Sequence, residues 1–331
     1  MPLTRYPHGI FATPNIGGIG RLSDIWNADN IWFVDGDNGS SGNAGNEPDR
    51  AVALISTAID KASRGGTIYV KPRTTVASAQ TYYVDSLVIP LTKPNLSIIG
   101  AGFPGCHNSF SGCQLKASDV ATDLIHVNGA GFNIENMRLS GAGMTDLGNS
   151  LIDAEAAVDQ TRKPSGLTVR GCHFASAASG ASATEGQLGG AIGCGSVSQM
   201  IIEDCVFYAV TTSIMMTNTS GTGNNQIIRG NVFGGTCASR NCDVVNIGNG
   251  TGIVIADNIF SCGVPAGAGG YASNFIYISA GVGIVARNAF ATATNEVAKA
   301  TGTECTIPTT FFCAGNTIEA ATDTKGFATR S

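Results

Sequence analysis

The sequence predicts an all-β protein, a single right-handed parallel β-helix with an N-terminal arm and a short capping helix. Three observations carry this. A six-residue pattern recurs eight times, charged residues make up only 13% of the chain, and 44 of 331 residues are glycine. Soluble domains usually carry about 25% charged residues, so long helices with charged faces are not expected. Low charge with abundant Gly, Asn, Ser, Thr and Val suits strands and tight turns instead.

The pattern is an apolar residue, two variable positions, a small or polar residue, one further position, then a large apolar residue. It occupies 98–103, 134–139, 169–174, 202–207, 228–233, 255–260, 285–290 and 313–318. The fourth positions are Ala101, Met137, Cys172, Cys205, Asn231, Asn258, Asn288 and Asn316, in steps of 26 to 36 residues. Such a step is too short for its own core but suits one coil of a solenoid, whose apolar positions stack on those of its neighbours. Parallel strands about 4.8 Å apart would then stack Phe103, Leu139, Phe174, Phe207, Phe233, Phe260, Phe290 and Ile318 inside the coil.

Asn231, Asn258, Asn288 and Asn316 fall in one column, where each amide can bond the next as in stacked cross-β strands. Cys172 and Cys205 share that column and read as small side chains in a turn, not as redox groups. Each coil carries a second apolar run: 124–127, 151–152, Ile192, 214–216, 244–247 and 275–278. Gly-rich links at 221–223, 248–252 and 263–270 supply turns, and loops of differing length at one edge are where a local function would lie.

The ends differ from the repeats. Residues 51–63 place Ala51, Ile55, Ala58, Ile59 and Ala62 at helical spacing and stop at Gly65-Gly66, which predicts a helix capping the open end of the solenoid. The expected organisation is an arm at 1–30, a cap at 31–72 and the β-helix at 73–331. The arm offers Tyr6, Phe11, Ile16 and Trp26 as anchors against a partner; the alternative is a disordered tail plus cap.

The net charge of −5 and absence of a basic stripe argue against nucleic acid as a partner. No apolar run approaches the ~18 residues of a membrane span, and no secretory signal is visible at the start, so folding in a cytoplasm is expected. The ten cysteines show no repeated ligand spacing and read as mostly buried thiols, although Cys106–Cys113 and Cys237–Cys242 are close enough to close small loops.

Catalytic signals are weak. A glycosidase needs two carboxyl groups about 5 to 9.5 Å apart, and the candidates are Asp153 with Glu155, and Glu203 with Asp204; solvated turns explain each as well. Asp257 shares the column of Asp204 two coils away. Arg170 and Arg229 sit at equivalent positions without an evident acidic cluster. Asp35, Asp37, Asn38 and Asp49 do not fit a calcium loop. His8, His107, His126 and His173 show no metal-ligand pairing, and His173 is expected to face solvent. No cofactor and no metal is expected.

The order Phe33-Val34-Asp35, a Gly/Asn/Asp/Ser-rich turn through Asn46, the 51–63 helix and Thr67-Ile68-Tyr69-Val70 resembles the start of the pectate-lyase-like β-helix superfamily, especially members in tailed-phage virions. The resemblance covers about 31–317. It implies a solenoid that serves lyases, hydrolases, tailspikes and inert decoration proteins alike. The short opening 1–9 is similar to arms of phage structural proteins, which implies a capsid decoration, cement or head-fibre protein on the virion surface. The partners so implied are the chain itself, as a homotrimer, and the major capsid protein. The alternative implied is a tail fibre or tailspike that binds or depolymerises a host surface glycan.

Overall fold

A computed structural model describes residues 30–74, 81–102, 112–118, 122–141, 144, 149–154, 164–175, 190–195, 197–208, 210, 212–234, 242–262, 275–292, 305–319 and 326–327. Apart from one antiparallel closing pair, the named strands pair in parallel, each with the equivalent strand of the next coil. The fold is therefore a parallel β-helix with three faces per coil.

Face I begins with Leu87–Ile89, Ile125–Val127, Ser150–Asp153 and Gly190–Gly193. Face II includes Asn133–Glu135, Thr168–Arg170, Ile201–Glu203 and Ile227–Arg229. Face III includes Met137–Ser140, His173–Ala175, Val206–Tyr208 and Val232–Gly234. The long strands Thr212–Asn224 and Cys242–Ala256 belong to the same sheet as faces I and II.

Each face sends columns of side chains into the core because strand side chains alternate sides. Face I stacks Leu87, Ile125, Ile152, Ile192, Ile214, Val244 and Ile276 in register. Face II stacks Ile68, Ile98, Ile134, Val169, Ile202, Ile228, Ile255 and Val285. On face III Phe174, Phe207, Phe233, Phe260 and Phe290 stack with ring centroids 4.6 to 5.0 Å apart and nearly parallel planes. These rings are buried, Phe233 completely.

One coil departs from the expected column. Leu139 lies on Leu115 and Met137 on Cys113, so this coil's column residues are Cys113 and Leu115, not Ala101 and Phe103. The cause is an insertion between the face II strand Ser97–Gly100 and the face III strand Cys113–Lys116. Ala101 is exposed, and Phe103 lies outside the described residues.

Two corners repeat from coil to coil, each marked by a left-handed residue. Between faces I and II these are Gly131, Gly166, Gln199, Asn225 and Gly252. Between faces II and III they are Asn136, Gly171, Asp204, Gly230, Asp257, Arg287 and Gly315. A left-handed φ reverses the chain sharply within one or two residues, and Gly, Asn and Asp adopt it most cheaply. At Gly230 a Cβ would also meet the Asp204 carboxylate at 2.6 Å.

The asparagine ladder sits directly after this second corner. Oδ1 of Asn258 accepts both the backbone N–H and the side-chain amide of Asn231 at 3.0 Å, and Asn288 and Asn316 repeat the arrangement. Each amide also donates to the backbone carbonyl of a neighbouring coil, Asn258 to Ile228 at 3.0 Å. Cys205 continues the column: its N–H donates to Asn231 Oδ1 and its Sγ reaches Val169 O at 3.7 Å.

The capping helix is shorter than expected, Ile55–Lys61. Ala51 and Ala62 are extended flanking residues, so the apolar spacing at 51–63 spans more than the helix itself. Ile55, Ala58 and Ile59 close the core, and Asp85 Oδ2 accepts the Ser56 N–H at 2.9 Å. That carboxylate satisfies a first-turn amide and complements the helix dipole.

Asp35 ties the cap to the next coil. It accepts Lys71 Nζ at 2.6 Å and the N–H groups of Asp37 and Asn38 at 3.0 and 3.1 Å. Burial pushes its pKa up, but Lys71 and these amides outweigh that and hold it at about 2. A depressed carboxylate stabilises above its unfolded pKa and loses that contribution as pH falls through the folded value. About 2 kcal/mol is expected to vanish as pH falls from about 4 to 2. Urea titrations across this range should show a shallower acid loss for Asp35→Asn than for the parent.

Among the described residues, no helix is long and apolar enough to cross a membrane. Cys113, Cys172 and Cys205 are buried free thiols, Cys194 is buried, and Cys305 and Cys313 are half-buried. Cys113 is thus not bridged to Cys106, and Cys237 lies outside the described residues.

Candidate functional site

The outer surface of face I gathers a constellation from two coils. His126 and Asp153 are register partners on neighbouring parallel strands, so their side chains leave the sheet side by side. His126 Nδ1 lies 2.7 Å from Asp153 Oδ2 and 3.7 Å from Asp123 Oδ2. Asp123 is positioned by the Ser150 N–H, which donates to its Oδ1 at 2.7 Å. The three side chains are partly exposed. The carboxylates of Asp123 and Asp153 hold the imidazole protonated, raising its pKa from 6.5 to about 10.

The next positions in strand register are Gly193, Met215, Val245 and Tyr277. Gly193 sets no side chain beyond Asp153, and Tyr277 is exposed. His126, which by sequence spacing has no ligand partner, thus lies within a three-residue group whose donor atoms all fall within 4.8 Å of one another.

Face II carries an alternating charge column. Glu135, Arg170, Glu203 and Arg229 follow one another in register. Glu203 is buried and gripped from both sides: Arg170 hydrogen-bonds Oε1, and Arg229 Nε donates to Oε2 at 2.6 Å. Burial alone would raise the Glu203 pKa, but Arg229 and Arg170 outweigh it and lower it. A carboxylate so held is a poor proton donor. The acidic partner that Arg170 and Arg229 lack in sequence order is Glu203.

The remaining sequence candidates are dispersed. Asp204 sits exposed at the left-handed corner, with Glu203 on the adjoining strand. Asp257 is paired with Arg287 by contacts of 2.6 and 2.7 Å. Glu155 and the arm residues Tyr6, Phe11, Ile16 and Trp26 lie outside the described residues, as do His8 and His107. His173 is not solvent-facing: it is 2% exposed, in a buried outer row of face III with Gln114 and Arg138. Alternation puts these three outside the core, but the outer surface is covered there.

No family model matches the chain, and no curated protein matches it. Among solved structures, the pectin methylesterase of Aspergillus niger in deglycosylated form is similar at a TM-score of 0.45 and 12% identity, covering 91% of this chain and 90% of that one. A rhamnogalacturonan lyase is similar at a TM-score of 0.40 and 14% identity, covering 79% and 68%. At these values no activity passes to this chain, and the β-helix assignment rests on the strand register.

Proposed function

We propose that this chain is a non-catalytic structural protein of a tailed-phage virion, a capsid decoration, cement or head-fibre protein. It assembles side by side as a homotrimer on the particle surface, against the major capsid protein. The observation that carries the reading is the change in outer surface along the solenoid. In the earlier coils the outer column of face II reads Thr67, Ser97, Asn133 and Thr168; from there it reads Ile201, Ile227, Val254, Ile284 and Phe312. Phe312 is 66% exposed and Ile284 41%.

Face III changes at the same coil, to Val206, Val232 and Ile259, all exposed. The two apolar stripes flank one corner and run along the solenoid axis. Exposed apolar surface of this kind marks an interaction site. Its repeat is the strand spacing of about 4.8 Å, and a second β-helix of the same sequence has that repeat. Rotation about an axis parallel to the solenoid sets equal coils at equal height, which closes the assembly. Charges at the corner pair within the chain, Glu203 with Arg170 and Arg229 and Asp257 with Arg287, so copies would meet there without like-charge repulsion.

The test is quantitative mass spectrometry of purified virions, comparing copies of this chain with copies of the major capsid protein. A fixed lattice fraction is expected. A handful of copies per particle would instead move the protein to the tail. A glycan-binding tail spike is the second reading; it draws on Tyr277, which shares its outer column with Asp153. Glycan cleavage abolished by Asp153→Asn would favour it.

A further inference from the structure

We propose that Asp123, His126 and Asp153 form a binding site for a divalent first-row transition-metal ion of the Zn²⁺ or Mn²⁺ class, which staples two neighbouring coils of face I. Two carboxylate oxygens converge on a single imidazole nitrogen, Nδ1, at 2.7 and 3.7 Å. One proton on that nitrogen forms one good hydrogen bond, to Asp153, and leaves Asp123 Oδ2 beyond hydrogen-bond reach. A cation about 2.0 to 2.2 Å from each donor would release that proton to solvent and serve all three, with side-chain shifts of about half an ångström to one ångström.

The site is built and not a chance meeting of surface acids. Strand register fixes His126 against Asp153. The Ser150 amide, on the strand that carries Asp153, fixes Asp123 through the oxygen that does not face Nδ1. Ligands therefore come from both coils, and a bound ion resists their separation. Gly193 follows Asp153 in the column, and a Cβ there would stand 3.0 Å from Ser150 Oγ and 3.8 Å from Asp153 Oδ1. The three side chains are themselves partly exposed, so water can complete the coordination.

The donor chemistry selects the ion. Ca²⁺ and Mg²⁺ take oxygen ligands, whereas imidazole with carboxylates suits Zn²⁺, Mn²⁺ and their neighbours. Three protein ligands with an open position describe an exchangeable site, unlike the closed four-ligand sites of structural zinc modules.

The experiment is isothermal titration of the full chain, stripped with chelator, with ZnCl₂ and MnCl₂ separately, and with CaCl₂ and MgCl₂ as comparisons. One saturable site per chain is expected for Zn²⁺ or Mn²⁺, with a raised melting temperature, and none for Ca²⁺ or Mg²⁺. His126→Gln and Asp153→Asn retain hydrogen-bonding groups, and circular dichroism verifies their folds. Each should weaken the ion by at least about tenfold, whereas Glu203→Gln should leave it unchanged. Co²⁺ provides a second readout that does not need the variants to fold: it should give a spectrum of nitrogen and oxygen ligation. No saturable binding, binding unchanged in both variants, or a thiolate-to-cobalt charge-transfer band from the cysteines would each overturn the assignment.

Discussion

Phe233→Ala is expected to lower the unfolding free energy by about 4 kcal/mol. Phe233 is fully buried and stacked on both faces, 4.9 Å from the Phe207 ring and 4.6 Å from Phe260. Truncation removes its apolar area from the core and leaves a cavity that its backbone, pinned in register with Phe207 and Phe260, cannot collapse to fill. Both neighbouring rings lose a stacking partner as well. Solenoid stability is a sum of coil terms and nearest-neighbour interfaces, so the damage falls on the two interfaces that Phe233 bridges. Urea unfolding should show a large drop in midpoint, with a broadened transition where the coils on either side uncouple. A loss below about 1 kcal/mol would contradict the continuous aromatic stack.

Asn258→Ala should cost about 3 to 5 kcal/mol although it removes few atoms. Its Oδ1 accepts two donors from Asn231, and its amide donates to Ile228 O and to Asn288 Oδ1 at 2.9 Å. Alanine leaves the Asn231 N–H buried without its acceptor, at about 1 to 3 kcal/mol, and strips Ile228 O and Asn288 Oδ1 of one donor each. Cys205→Asn is the reverse experiment. It would extend the ladder by one rung, replacing the 3.7 Å thiol contact to Val169 O with an amide hydrogen bond, and should stabilise by about 1 kcal/mol. Equilibrium unfolding of the two variants, with opposite signs, isolates the ladder from general packing.

Sequence columns carried much of the fold because each coil repeats one short pattern at nearly constant offset. Phe174 to Phe290 and Asn231 to Asn316 could be aligned without knowing any connection length. The alignment failed at Phe103, where the stretch after Gly100 displaces the face III strand to Cys113–Lys116. Side-chain alternation also misled at His173: it names the side of the sheet but not whether that side meets solvent.

The site on face I was less legible because its residues come from two coils 27 positions apart. A signal existed all the same. Superposing Leu124-Ile125 on Leu151-Ile152 sets His126 opposite Asp153. The second position of the repeat, Glu135, Arg170, Glu203, Arg229, likewise alternates in sign. These polar columns escape a search built on apolar repeats, because pairing across coils sets them and local spacing does not.

Lateral self-association is the claim on which the structural role stands, and sedimentation velocity tests it most directly. The full chain at micromolar concentration should sediment as a trimer of three 33.8 kDa subunits. Val232→Glu with Ile284→Glu, placed on the exposed stripes, should convert it to monomer while its β-sheet circular dichroism stays unchanged. A parent chain that sediments as a monomer, or a trimer indifferent to both charges, would contradict the account.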